Sequence, residues 1–280
     1  MKHLSDNPGF RWSFSKLASF LQCPYSFYLS YVKNDNPDEM DNYFSQYGTF
    51  AHKLLEMWAK DELPAFCLAE EWREGYDEAV TMPPPPFPKG MAEKYYIAAE
   101  QYFDAFDGFG DDWEVVSAEK KFVLRLGKYD VSGIADLVLR NKNTGELWVV
   151  DHKSKSMNSL RKELNLYRKQ LYLYAMWCKE EFGAYPVKIS FNMFKEGCFV
   201  DEEFSLDALD ETKKWFLDTI HQIEDIDALE CWETKVNSYF CGNICSLALE
   251  CADYQQLRQE ELDRYYAKKA LEAEMYGVGP

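Results

Sequence analysis

Residues 131–155 read VSGIADLVLRNKNTGELWVVDHKSK. Two apolar runs flank a polar, glycine-containing stretch, Asn141 to Glu146, which describes two strands joined by a turn. Asp136 falls in the first strand, Asp151 at the end of the second, and Lys153 two residues further on. Side chains alternate faces along a strand, so Asp151 and Lys153 share a face while His152 turns away. If the strands pair antiparallel, Asp136 sits beside Asp151. Two carboxylates converging next to a lysine suit a divalent cation and an electron-rich substrate such as a phosphodiester.

Working outward, Val115 to Leu126, Tyr129 to Arg140 and Leu147 to His152 are the strand candidates. Glu119, in the first of them, faces either the carboxylate pair or solvent. Downstream, Leu160, Leu164, Tyr167, Leu171, Tyr174 and Cys178 alternate four and three apart, which predicts a helix over Leu160 to Phe182. Gln170 and Tyr174 lie one turn apart on it. Val187 to Phe194 and Cys198 to Phe204 read as a strand pair turned by Lys195 to Gly197, followed by helices over Asp207 to Leu229 and Asp253 to Met275.

Upstream, Phe14 to Val32 is helical in pattern, with Ser13 or Ser15 as N-cap and a break at Pro24 that leaves Cys23 at a helix junction. Asn34 to Asp41 is a polar loop. The next helix starts near Tyr47, with Phe50, Leu54 and Trp58 as its core stripe and His52 and Glu56 sharing a face. Helices over Glu70 to Val80 and Met91 to Phe106 are separated by MPPPPFPKG, a stiff extended connector.

An apolar fraction of 47% and an aromatic content of 16% over 280 residues exclude a disordered chain. No stretch reaches membrane-spanning length, and the N-terminus lacks the apolar segment of a secretory signal, so a soluble cytoplasmic protein is expected. The net charge of −17 has the wrong sign for coating nucleic acid, but local binding depends on where the basic residues lie. Between Lys153 and Lys169 stand Lys153, Lys155, Arg161, Lys162, Arg168 and Lys169 against the single acid Glu163. Alone, that stripe reads as a solvated helix face.

Eight cysteines in a reducing compartment are not a disulfide framework. Cys67, Cys178, Cys198 and Cys231 are scattered and read as small core residues. Cys241, Cys245 and Cys251 are clustered with C-x3-C-x5-C spacing. Three thiolates neither close a tetrahedral zinc site nor hold a cubane cluster, so a fourth ligand must come from elsewhere.

Six segments in this order, SFSKLASFLQCPYSFYL, GTFAHKLLE, GIADLV, VVDHKS, QLYLYA and the late cysteines, resemble the motifs of the PD-(D/E)XK nuclease superfamily. Within it they resemble the RecB-like branch with an iron–sulfur cluster, to which CRISPR-associated exonucleases, the AddB nuclease domain and phage exonucleases belong. The resemblance runs from Ser13 to Cys251, with one departure: the family's closing triplet is commonly C-x2-C-x5-C.

The resemblance implies an α/β fold, a restriction-endonuclease-like core with a central mixed sheet flanked by helices. It implies one nuclease domain over residues 1–280, with a helical lobe at 34–112, a catalytic core at 113–229 and cysteine clasp segments at 13–32 and 230–275. Asp136, Asp151 and His52 map to ligands of Mg²⁺ or Mn²⁺, joined by the His152 backbone carbonyl. Lys153 maps to the catalytic lysine, with Gln170 and Tyr174 orienting it or the substrate. Cys23, Cys241, Cys245 and Cys251 map to a 4Fe–4S cluster, with structural Zn²⁺ as the alternative. The substrate implied is DNA, single-stranded or with a free end, tracked by Lys155, Arg161, Lys162, Arg168 and Lys169. The role implied is a single-strand-preferring exonuclease of recombination and repair, phage DNA metabolism or CRISPR adaptation, acting with a helicase, recombinase or CRISPR-adaptation partner.

Two other classes compete. A non-catalytic DNA-binding or assembly subunit would have lost Asp136, Asp151 or Lys153, and all three are present. A metal-dependent hydrolase of small molecules would need neither the basic stripe nor the split cysteine set.

Overall fold

A computed structural model describes Leu4, Asn7 and residues 9–33, 42–86 and 88–276. The polar loop expected at Asn34 to Asp41 lies outside the described residues, as does Phe87 of the proline-rich connector.

A two-residue strand, β1 (Trp12–Ser13), leads into helices α1 (Phe14–Gln22) and α2 (Pro24–Phe27) and a π-helical turn at Tyr28–Val32. Ser13 caps α1 by accepting the Lys16 amide, and Cys23 is the extended residue between the helices, where Pro24 takes the first helical position. Helices α3 (Tyr43–Ala59), α4 (Leu68–Ala79) and α5 (Met91–Ala105) follow. Then come strands β2 (Trp113–Leu126), β3 (Tyr129–Asn141) and β4 (Leu147–His152). The chain closes with α6 (Met157–Phe182), β5 (Lys188–Met193), β6 (Cys198–Glu203), α7 (Leu206–Leu229), α8 (Ser238–Asn243) and α9 (Ala252–Tyr276). Among the described residues no helix is long and apolar enough to cross a membrane.

The six strands form one mixed sheet in the order β1-β3-β4-β5-β6, with β2 along the remaining edge of β3. Gly127, at φ 60°, makes the tight β2–β3 connection that fixes Leu126 opposite Tyr129. On its other edge β3 has two partners that diverge. Trp12 and Ser13 pair with Val131 and Ser132, and β4 pairs only with Leu137 to Arg140. Gly133 to Asp136 therefore have no strand partner on that edge among the described residues, and the sheet opens there.

Both faces of the sheet are covered. The main core sets Val131, Val138, Val149 and Ile189 against Leu160, Leu171 and Cys178 of α6, Leu17 and Phe20 of α1, and Phe216 and Ile220 of α7. On the opposite face Leu137, Leu139, Trp148 and Val150 meet Trp58, Phe109 and Trp113. Helices α3 to α5 form a lobe with its own core around Tyr47, Leu54, Trp72 and Phe103. Phe194, from the β5–β6 connection, is fully buried in that lobe and joins it to the sheet.

The strand and helix positions agree with the sequence reading to within a few residues, and two local readings change. Helix α3 begins at Tyr43, because Asn42 and Ser45 form a reciprocal capping box. Its buried stripe is accordingly Tyr43, Tyr47, Ala51, Leu54 and Leu55, while Phe50 and Trp58 are only half-buried. Phe50 instead stacks on Trp72 and Trp58 packs edge-on against Phe106, each at the lobe's rim. Of the four scattered cysteines only Cys178 is buried; Cys231 is exposed, just beyond the left-handed residue Glu230 that ends α7.

Phe194→Ala should separate the lobe from the sheet, costing about 3–5 kcal/mol in chemical denaturation, the usual range for emptying a buried phenylalanine site.

Candidate active site

The gap in the sheet is where the acidic groups gather. The His152 amide donates to Asp136 Oδ2 at 2.9 Å, so the carboxylate of β3 is bonded directly to the end of β4. Lys153 Nζ lies 2.6 Å from Asp151 Oδ2 and donates to Gln170 Oε1 at 2.9 Å, and Gln170 Nε2 donates to the Tyr174 hydroxyl at 2.7 Å. Gln170 and Tyr174 reach the strand because they share one face of α6. Asp151 and Lys153 thus point to the α6 side. The His152 ring turns to the other side, where its Nδ1 is 3.0 Å from Asn192 Nδ2.

Helix α3 brings His52 over the gap, with Nδ1 3.6 Å from Asp136 Oδ2 and 3.8 Å from Glu119 Oε1. Ligand atoms of His52, Glu119 and Asp136 lie within 4.8 Å of one another, the one such group among the described residues. Asp151 stands outside that trio, its carboxylate engaged by Lys153. Its buried Oδ2 already has the Lys153 ammonium as its cationic partner. A nitrogen and two carboxylates, with a further carboxylate adjacent, fit a hard or borderline divalent ion.

Glu119 is the residue whose place the sequence reading left open. It is also one of three non-glycine residues with positive φ among the described residues, at 46°, a conformation that costs roughly 1–3 kcal/mol. The inward side of the β2–β3 ribbon changes there. Val131 and Ala135 pack in the main core, but so does Val138, while Leu137 and Leu139 pack on the opposite face. A signal for Glu119 existed: counting outward from the Gly127 turn brings it opposite Asp136. Gly133 has a related role. A Cβ there would stand 2.4 Å from the Phe122 ring, which lies across the glycine and stacks on Trp177.

Burial, reinforced by Asp151, pushes the Asp136 carboxyl up to about 7. Burial by itself would lower the Lys153 and His52 pKa values. Asp151 and Asp136 reverse this for Lys153, and Asp136 and Glu119 reverse it for His52, so both are raised and favour the cationic form. Burial raises the Tyr174 hydroxyl well above its usual range, so it remains a neutral donor.

The basic stripe expected to track DNA lies elsewhere. Lys155 pairs with Glu163 at 2.6 Å and Arg168 with Glu202 at 2.6 Å. Of the five residues Lys155, Arg161, Lys162, Arg168 and Lys169, none borders the cleft that opens from the acidic group, whereas Arg11 and Lys121 do.

The four candidate cluster cysteines do meet. Cys23, Cys241, Cys245 and Cys251 line one small cavity between α2 and the C-terminal segment. The Lys235 amide points at Cys23 Sγ (3.4 Å) and the Asn237 amide at Cys241 Sγ (3.5 Å). Trp232 stacks on Phe27 and Tyr28, and the Tyr25 amide donates to the Glu233 carbonyl, which holds the two ends of the chain together.

Asp136 carries a testable consequence. Its folded pKa exceeds the unfolded 3.8, so between about pH 4 and 7 the native state keeps a proton that the unfolded chain has shed. Metal-free stability is therefore expected to be full below that window and to fall as pH rises through it. Asp136→Asn should raise the metal-free stability at pH 8 by about 1–3 kcal/mol, little at pH 4, and should abolish the stabilisation that added Mn²⁺ gives the wild type; thermal melts at the two pH values measure both.

The sequence profile of the PD-(D/E)XK nuclease superfamily matches residues 11–252. No curated protein matches the chain. Among 17 solved chains that match, that of SSO0001 aligns at 17% identity over 86% of this chain and 93% of its own, with a TM-score of 0.33. The family profile thus spans β1, the sheet with its gap at Gly133 to Asp136, and all four clustered cysteines, and the chain belongs to the PD-(D/E)XK nuclease superfamily.

Proposed function

We propose that this protein is a Mg²⁺- or Mn²⁺-dependent deoxyribonuclease of the RecB-like branch, acting as an exonuclease on single-stranded or open DNA ends. The observation that carries the reading is the half-buried Lys153 ammonium, 2.6 Å from Asp151, beside the His52, Glu119 and Asp136 group that borders an open cleft. A non-catalytic relative has no use for a desolvated lysine held in that position.

His52, Glu119, Asp136 and Asp151 would hold the metal, with the His152 carbonyl as a further oxygen, and the imidazole tilts the preference toward Mn²⁺. When bound, a divalent ion polarises the scissile phosphate and acidifies the attacking water. The rest falls to the chain. Lys153, kept cationic by Asp151 and Asp136, stabilises charge that develops on the phosphate oxygens. Gln170 fixes the ammonium by accepting from it, and Tyr174 fixes Gln170 by accepting its amide.

Cys23, Cys241, Cys245 and Cys251 would hold a 4Fe–4S cluster that ties α2 to the C-terminal segment. The recombination, phage or CRISPR-adaptation setting, and any helicase or recombinase partner, belong to the same proposal.

Asp136→Ala, Asp151→Ala and Lys153→Ala should each lower Mn²⁺-dependent cleavage by about 10³-fold or more. Folded variants with undiminished cleavage would overturn the assignment. On end-labelled linear and circular single-stranded DNA, an exonuclease degrades only the linear form. Anaerobically purified protein should be brown, with charge-transfer absorbance lost in Cys23→Ser; colourless protein with one zinc per chain would replace the cluster by Zn²⁺.

A further inference from the structure

We infer that the substrate strand leaves the metal site along the β2–β3 ribbon, gripped by Lys121 and Arg11, and that this track selects unpaired nucleic acid. The inference rests on the nuclease reading and names the surface that reading lacks.

The cleft, about 670 Å³ in volume, opens at His52, Glu119 and Asp136 and continues past Lys121, Val123, Ser132 and Ile134. Ladder register orders these residues. Lys121 lies opposite Ile134, and Val123 opposite Ser132. By the same count Glu119 stands opposite Asp136, so the cleft is bordered by three successive cross-strand rows: two acids, then lysine with isoleucine, then valine with serine. Rows two residues apart are about 6.8 Å from one another, a spacing close to one nucleotide of an extended strand. A phosphate held by cations at the first row would place its neighbour beside Lys121. Arg11 enters from the β1 side, since Ser13 pairs with Ser132 across the cleft floor.

Charge and polarity both fit a single strand. In a chain of net charge −17, a lysine and an arginine border this cleft, and no described carboxylate forms an ion pair with either. By contrast, Lys155 and Arg168 of the expected stripe are already neutralised by Glu163 and Glu202. Val123 and Ile134 are 44% and 42% exposed, unusual for aliphatic side chains in mid-ribbon. A duplex presents phosphates and groove edges while its base faces stay stacked. Cations alternating with exposed apolar side chains suit a strand whose bases are free to lie on protein. Gly133 adds to this, because the missing Cβ lets Phe122 form the floor between the rows.

The test measures binding of labelled oligo-dT to the full-length protein by fluorescence anisotropy, with Ca²⁺ in place of Mn²⁺ to prevent turnover. The double variant Arg11→Ala/Lys121→Ala should weaken binding at least tenfold and reduce the slope of log K against log salt by about 1.4, two phosphate contacts' worth. Ile134→Asp should weaken binding by a similar factor, and a blunt duplex should bind the wild type more weakly than oligo-dT. These side chains are exposed, and unchanged thermal melts would show that the fold is kept. Wild-type affinity and salt slope in the double variant, loss of binding instead in Arg161→Ala/Lys162→Ala, or equal binding of the duplex would each overturn the inference. Cleavage of bis(4-nitrophenyl) phosphate by the wild type with Mn²⁺ reports the metal site alone. Its absence would sink the nuclease reading, whereas its presence with an unaffected double variant would sink only the track.

Discussion

Asp136 lies at the open edge of the sheet beside the buried Asp151, where burial and the neighbouring carboxylate disfavour its charged form. That repulsion is what the surrounding residues answer. Lys153 is bound to Asp151, the His152 amide to Asp136, and His52 is drawn over the pair from a separate helical lobe. A buried charge left without its partner typically costs several kcal/mol, so these neighbours are not interchangeable surface contacts. A group of His52, Glu119 and Asp136 gathered in this way could hold a cation.

The sheet supplies this arrangement through a mismatch of partners. Strand β3 pairs with β1 at one end and β4 at the other, and its middle, Gly133 to Asp136, is left open toward the cleft. A continuous ladder would have closed the space and used the His152 amide in strand pairing. The left-handed backbone at Glu119 works in the same place, turning the inward side of the ribbon so that its carboxylate joins Asp136. Local strain of this kind persists only where the surroundings over-determine it. Here those surroundings are two packed cores, one on each face of the sheet.

The helical lobe and the cysteine cavity bracket the sheet from opposite ends of the chain. Phe194 plugs the lobe onto the β5–β6 connection, and the lobe in turn sets the height of His52 above the carboxylates. Trp232, stacked on Phe27 and Tyr28, closes the C-terminal segment onto α2 beside the four cysteines. Both contacts are aromatic, and Phe194 also packs edge-on against His52. The site is therefore assembled by packing and then tuned by charge.

Much of this was written in the linear sequence. Period-two alternation around NKNTGE placed Asp136, Asp151 and Lys153, and the four-residue step from Gln170 to Tyr174 placed both on one helix face, because those periodicities are properties of the local backbone. Other features depend on which elements meet. The α3 stripe shifted because Asn42 and Ser45 cap each other, a reciprocal contact that hydrophobic spacing does not encode. Of the basic residues after Lys153, Arg168 meets a carboxylate distant in the chain, Glu202, which the sequence pattern does not reveal. For Glu119 the sequence leaves both the carboxylate pair and solvent open, because nothing local marks a left-handed turn in mid-strand; the β2–β3 ladder and the approach of His52 bring it to Asp136. Local periodicity determined which side chains share a face, and tertiary packing alone decided which of them meet and which are neutralised, since charge and strain depend on neighbours distant in the chain.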